Sequence, residues 1–190
     1  MNKRKWISFV ATVFMTTVCS TFIGFAVYGG RVFDSQHPAF GFIVYGAIGG
    51  IIFSSFRYMP SPAPPVVIVM AAGLNAAISQ LTDWMQIYIK VLFVAAIAGA
   101  IYVFEKKYFE RLQQMRIARI MVFASLIAVA YIVVALVLDA TLLASSKGVG
   151  LTVHGDVYYN LADGFFLGIG LGLGSELSQI LVVKSKRGEN

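Results

Sequence analysis

Long apolar stretches separated by short polar segments dominate the pattern of the chain. They cover residues 6–28, 38–56, 65–82, 87–104, 117–138 and 158–183. A helix that crosses a bilayer needs about 20 mainly apolar residues, and each stretch is close to that length. The pattern therefore predicts an all-α, polytopic membrane protein with six transmembrane helices, forming a single domain over residues 1–190.

Composition agrees with that prediction. Hydrophobic residues make up 58% of the chain and charged residues 13%, whereas charged residues are about a quarter of a typical soluble domain. The six stretches leave no room for a separate soluble domain.

Basic residues lie almost wholly at alternate ends of the stretches. Twelve share one side: Lys3, Arg4, Lys5, Arg57, Lys106, Lys107, Arg111, Arg116, Arg119, Lys184, Lys186 and Arg187. Arg31, Lys90 and Lys147 are on the other side. Short loops rich in Lys and Arg remain cytoplasmic, so both termini are expected in the cytoplasm, most simply at a bacterial plasma (cell inner) membrane. The net charge of +6 is thus a topology signal, and no nucleic-acid partner is expected.

The first stretch resembles a secretory signal only at its basic start. It remains apolar for more than twenty residues, whereas the apolar region of a signal peptide has 7–15. We interpret it as a retained helix, in which the lone Cys19 is a packing residue.

Three connecting segments have distinct compositions. Residues 57–65 contain four prolines, which predicts a stiff, extended connector. The fourth helix is expected to continue through residues 105–115 with a solvated face that carries Glu105, Lys106 and Glu110. Residues 140–157 predict a long external loop with a small hairpin around His154.

An internal similarity favours a repeat. Residues 73–81 align without gaps to residues 172–180, with four identities. A duplication of three spans gives inverted topology, which recurs among transporters. A chance match between short apolar segments is the alternative, and the 3+3 inverted repeat is kept as a hypothesis.

Small residues recur at helical spacing and predict close helix packing. Gly46 and Gly50 are one turn apart on the second helix. The sixth helix carries Gly164, Gly168 and Gly172 on one ridge, because they follow each other at intervals of four residues.

Polar residues inside the apolar stretches are the candidate ligand site. Glu176 is the most informative, because a carboxylate in the membrane is costly unless it is paired or faces a cavity. One interpretation makes it a substrate, ion or proton site; the other has it protonated or paired with Lys184 or Arg57. The predicted substrate or ion cavity consists of Asn75, Ser79, Glu176, Asn160, Tyr159 and Asp163.

Enzymatic chemistry has little support in the sequence. The two histidines, His37 and His154, lie in external loops, and no spacing of His, Cys and carboxylates resembles a metal site. No nucleophile elbow or phosphate-binding loop occurs. We expect no catalytic residues, metal or cofactor.

Two functions remain open. The first is a small-solute transporter, or the membrane substrate-binding component of one. The size and six-span layout resemble the substrate-binding components of energy-coupling-factor vitamin importers, although the Ala-x-x-x-Ala first helix of that group is missing. The second is a non-catalytic membrane subunit or scaffold that packs against partner helices. Expected partners are the lipid bilayer, a small molecule or ion, and other membrane proteins or further copies of the chain.

Overall fold

The structure is a computed structural model that describes residues 3–29, 38–82, 87–145 and 157–187, with side chains described within 3–29, 40–78, 89–137 and 160–182. The described residues form six α-helices and one short π-helical segment, and they contain no strand. The elements are α1 (Lys3–Tyr28), α2 (Pro38–Tyr58), α3 (Ala63–Thr82), α4 (Ile87–Val103), the π segment (Phe104–Tyr108), α5 (Arg116–Ser145) and α6 (Val157–Arg187). The all-helical prediction is confirmed for this part of the chain.

Four of these helices are long and apolar enough to cross a membrane. They are α1 over Lys3–Tyr28, α2 over Phe40–Tyr58, α5 over Arg116–Val137 and α6 over Asn160–Val182. Helix α3 is apolar over the shorter range Ala63–Ile78. The fold is therefore that of a membrane-embedded helical bundle.

Helices α1, α2, α5 and α6 make the most extensive contacts of the bundle. Helix α1 packs against α2 and α6, and α6 also packs against α5. Helices α3 and α4 contact each other, and α4 joins the rest of the bundle through α5 and α2. An inverted repeat would make the α1–α2 and α4–α5 contacts equivalent, but the first is much more extensive. The repeat remains a hypothesis.

Small side chains bring α1 close to its two neighbours. Its buried face consists of Ser8, Thr12, Thr16, Ser20 and Gly24, which follow one another every four residues. Across from this face lie Gly46 and Gly50 of α2 and Gly170 and Gly174 of α6. A Cβ atom at Gly170 would lie 2.6 Å from the Ser20 Cα atom, so only glycine permits this approach.

The glycine ridge of α6 lies against α5. A Cβ atom at Gly168 would lie 2.5 Å from the Ala124 Cα atom, and one at Gly164 would lie 2.9 Å from the Ala128 Cα atom. Gly172 is less tightly enclosed, with Ile120 3.3 Å away. The ridge therefore fixes the distance between α5 and α6 along its length.

Threonine hydroxyls on α1 are satisfied within their own helix. Thr12 Oγ1 donates to the Ser8 carbonyl at 2.8 Å, and Thr16 Oγ1 donates to the Thr12 carbonyl at 2.8 Å. These local bonds allow polar side chains to pack in an apolar bundle without a partner helix.

Two predicted connectors differ from the structure. Helix α3 begins at Ala63, so Pro64 and Pro65 occupy its first turn, where the missing amide hydrogens are not needed. The proline-rich connector is thus shorter than predicted. The fourth helix is also shorter than predicted, because α4 ends at Val103 and residues 109–115 form turns after the π segment.

The external loop is shorter than predicted too, because α5 continues to Ser145 and α6 begins at Val157. The central part of the predicted hairpin, residues 151–156, and both histidines lie outside the described residues.

Candidate functional site: a buried charge cluster

Four charged side chains meet at one end of the bundle. Arg57 comes from the last turn of α2, Glu105 from the π segment, Arg119 from the first turn of α5 and Glu176 from the second half of α6. We call these four residues the charge cluster. Their formal charges cancel, so the cluster as a whole is neutral.

Arg57 is the most extensively bonded member of the charge cluster. Its Nε atom donates to Glu105 Oε1 at 2.9 Å, and its Nη1 atom donates to Ser175 Oγ at 2.8 Å. Its guanidinium carbon also lies 4.1 Å from the ring centroid of Phe53 and 4.3 Å from that of Phe109. Such aromatic contacts favour a desolvated guanidinium, and only 7% of the Arg57 side chain is exposed.

Arg119 and Glu176 form the second ion pair. The Arg119 Nη2 atom donates to Glu176 Oε2, and the exposed fractions of the two side chains are 5% and 9%. Removing two ions from water costs several kcal/mol each, which their attraction offsets only when the geometry is good. A buried ion pair is therefore weak evidence that its two residues serve only to stabilise the fold.

The π segment places Glu105 in the cluster. The Phe109 amide donates to the Phe104 carbonyl, five residues back, at 2.9 Å. Phe104 is buried against Phe53 and Phe123, while the adjacent Glu105 reaches Arg57. Burial raises the pKa of the Glu105 carboxyl, and the charge and hydrogen bond of Arg57 oppose that shift. Single π turns are frequent at functional sites.

Two guanidinium donors of the cluster have no partner among the described residues. They are the Nη2 atom of Arg57 and the Nε atom of Arg119, both buried. An unpaired buried donor is costly, about 1–3 kcal/mol, and more when it is charged. Such groups in native proteins are explained by a functional role or by a small molecule, water or ion at the site.

A small pocket lies beside these donors. Its lining consists of Phe53, Arg57, Phe104, Arg119, Ile120, Phe123, Gly172, Ser175 and Glu176. The enclosed space admits about one water molecule. Both arginines and Glu176 thus border the same space, with aromatic rings forming its apolar wall.

The cluster changes the interpretation of several residues. Glu105 was expected on a solvated helix face, and this is wrong, because only 16% of its side chain is exposed and it pairs with Arg57. Arg57 and Arg119 were both counted as cytoplasmic cations, and Arg57 also as a candidate partner of Glu176, yet both are buried and Arg57 pairs with Glu105. Glu176 pairs with Arg119, a partner that was not anticipated.

The other predicted ligand residues are distributed elsewhere. Asn75 is buried close to Tyr45, and its Nδ2 atom has no hydrogen-bond partner among the described residues. Asp163 accepts a hydrogen bond from Tyr28, and Asn160 lies one turn before Asp163 on α6. Asp163 is 13 residues from Glu176, or about 20 Å along a helix axis. The side chains of Ser79 and Tyr159 lie outside the described ranges.

The second polar region consists mainly of tyrosines. Tyr28 donates a hydrogen bond to Asp163, and Asn75 lies close to Tyr45. The Tyr131 ring lies 4.6 Å from the Phe93 ring, which lies 5.6 Å from the Tyr45 ring. We call Tyr28, Tyr45, Tyr131, Asn75 and Asp163 the tyrosine cluster. It contains a single carboxylate and no arginine or lysine.

No protein-family model, curated protein or solved structure matches this chain.

Proposed function

We propose that the chain is a six-span integral membrane protein with both termini in the cytoplasm, which binds a small solute and carries it across a bacterial plasma membrane. On this proposal it is not an enzyme, and Glu176 belongs to the solute site. Residues 3–5 and 184–187, the π segment and the connector after α2 then share the cytoplasmic side.

The observation that supports the proposal is the charge cluster. Ionisable residues among apolar helices are expensive, and they mark substrate, ion or proton pathways far more often than structural positions. The cluster also borders a pocket with two unpaired donors. A purely structural network favours full pairing, because each unsatisfied member has a cost.

The topology is tested by labelling introduced cysteines in a Cys19→Ser background with a membrane-impermeant thiol reagent. Ser35→Cys and Ser146→Cys should react from outside intact cells, because their loops carry few cations. Ser61→Cys and Ser185→Cys should react only after the cells are opened. The reverse labelling would overturn the orientation.

Solute binding is tested by purifying the protein from its membrane under native conditions and identifying co-purifying small molecules by mass spectrometry. The wild-type protein should retain a solute, and Glu176→Gln should lose it. Glu110→Gln is the matched control, because Glu110 is exposed in the turn that follows the π segment. Retention by all three proteins would remove Glu176 from the site.

A non-catalytic scaffold remains the second candidate. The glycine ridges of α2 and α6 are used for packing within the chain. The Ala95-x-x-x-Gly99 stripe of α4 is exposed instead, and a Cβ atom at Gly99 would meet nothing within 4 Å. A protein partner that co-purifies stoichiometrically without a solute, and is lost in Gly99→Leu, would favour the scaffold.

A further inference from the structure

The unpaired donors of the charge cluster indicate what kind of group the pocket accepts. Arg57 uses Nε and Nη1 for Glu105 and Ser175, which leaves Nη2. Arg119 uses Nη2 for Glu176, which leaves Nε. Both leftover atoms are N–H donors on cations, so they complement an acceptor that carries negative charge.

The rest of the pocket lining supports the same chemistry. Hydrogen bonds from a guanidinium to a carboxylate or phosphate oxygen are among the strong ones, and each arginine here has one unpaired nitrogen for such a bond. The Ser175 hydroxyl and the apolar rings of Phe53, Phe104 and Phe123 complete the wall. The space admits about one water molecule, so it has room for a single oxygen atom of an anionic group.

We infer that this pocket binds the anionic group of the solute, a carboxylate or a phosphate, between Arg57 and Arg119. The inference rests on the proposed function and names the substrate class of that site. The remainder of a larger solute lies outside the enclosed space.

Binding of an anion changes the net charge of the charge cluster. The four members of the charge cluster sum to zero, so one bound monoanion leaves a net charge of −1 in a low-dielectric bundle. Uptake of one proton from solvent by Glu105 restores neutrality. The charged groups that face Glu105 are Arg57 on α2 and Arg119 on α5, and Tyr58 lies close to Arg57. The α1 face that packs on α6 has only hydroxyls and Gly24. Anion binding should therefore strengthen as the pH falls.

The test measures the thermal midpoint of the purified protein in phosphatidylcholine nanodiscs as formate or inorganic phosphate is added at constant ionic strength. Either anion should raise the midpoint saturably, because a ligand that binds only the folded state stabilises it. Formate should raise the midpoint at a lower concentration at about pH 6 than at about pH 8. Formate itself stays ionised across that range, so the difference measures proton uptake by the protein. An equal response at both pH values would overturn the proton uptake.

The critical variant is Arg57→Gln with Glu105→Gln. It removes the Arg57 donors but keeps the charge cluster neutral, so the fold should be retained. Apparent affinity for formate should fall about tenfold or more, the loss expected for one charge-assisted hydrogen bond. Lys107→Gln with Glu110→Gln is the matched control, because both residues are exposed and lie next to the same end of the bundle. An unchanged response in the Arg57 and Glu105 variant would overturn the site.

A second arm separates the two sources of an anionic group. Nanodiscs that contain phosphatidic acid should stabilise the protein no more than phosphatidylcholine nanodiscs if the ligand is a free solute. Stabilisation by phosphatidic acid alone would assign the pocket to a lipid headgroup and overturn a solute site.

A co-purifying cation or neutral solute with no response to formate would overturn this inference while leaving the proposed function intact. A response to formate in a protein that co-purifies with no solute would overturn the proposed function and leave the anion site intact.

Discussion

The two ends of the bundle bury polar groups by different means. The charge cluster uses four full charges, arranged as two ion pairs, and still has two unpaired donors. The tyrosine cluster uses mostly neutral groups: Tyr28 donates to Asp163, and the one buried donor without a described partner, Asn75 Nδ2, carries no charge. Both clusters draw on α2, α5 and α6, so the same helices hold two different polar environments.

The difference is the reason for placing the proposed solute site at the charge cluster. Neutral hydrogen bonds within a membrane bundle are modest contacts, worth about 0.6 kcal/mol on average, and they commonly hold helices together. Full charges require far more compensation. Four full charges next to a pocket therefore support the proposed solute site at this end of the bundle.

Breaking the charge cluster should give the largest loss of stability. Glu176→Gln leaves Arg119 as an unpaired buried cation, which is expected to cost about 3–5 kcal/mol in unfolding free energy. Arg119→Gln combined with Glu176→Gln removes both charges and should recover much of that loss. Denaturant titration of the wild-type protein, of each single variant (Glu176→Gln and Arg119→Gln) and of the double variant measures the coupling. Additive losses would mean that the two residues do not interact.

Substitution in the glycine ridge tests the contact that links the two ends. Gly168→Ala places a methyl group against the α5 backbone, where nothing flexible can move away. The expected cost is about 1–3 kcal/mol. Gly99→Ala is the control, because that site is open and alanine favours helix. Equal stability of the two variants would show that α5 and α6 are further apart than described.

Removing one tyrosine hydroxyl should have a smaller effect at the other end. Tyr28→Phe deletes the hydrogen bond to Asp163 and should cost about 1 kcal/mol. Tyr102→Phe is the control, since Tyr102 is exposed and its hydroxyl only accepts from Lys106. If Tyr28→Phe instead abolished solute retention, the functional end would have been assigned wrongly.

The smallest effect is expected for a single hydroxyl pair between α1 and α6. The Oγ atoms of Thr12 and Ser178 are 2.9 Å apart in a hydrogen bond. Thr12→Val should cost about 0.6 kcal/mol. Thr17→Val is the control, because Thr17 Oγ1 bonds to the Val13 carbonyl of its own helix. A cost for Thr12→Val several times larger would place this contact among the main polar links of the bundle.

The helix pattern was readable from the sequence because apolar length determines it. Each of the six predicted stretches corresponds to one of the six helices. For example, 38–56 corresponds to Pro38–Tyr58, and 158–183 corresponds to Val157–Arg187. The residues at which the helices begin and end were less predictable. Proline in a first helical turn and proline in a loop look alike in sequence, which is why Pro64 and Pro65 were placed wrongly.

The candidate site was only partly predictable. Glu176 was identifiable because a carboxylate within an apolar stretch is costly wherever it points. Arg119 and Glu105 were not, because cations near helix ends usually face water and the π segment that turns Glu105 inward leaves no periodic signal. One clue was present: Arg119 lies inside the first turn of α5, just before a long uninterrupted apolar run.

The central claim is that the charge cluster binds a solute rather than only bracing the bundle. The most direct test is the formate-dependent rise in thermal midpoint of the charge-neutral variant that combines Arg119→Gln with Glu176→Gln. A binding site predicts a folded protein whose midpoint responds only at about tenfold or more higher formate concentrations, because the Arg119 donor is gone. A rise as large as that of the wild-type protein, at the same formate concentrations, would contradict the claim and leave the cluster as a structural brace.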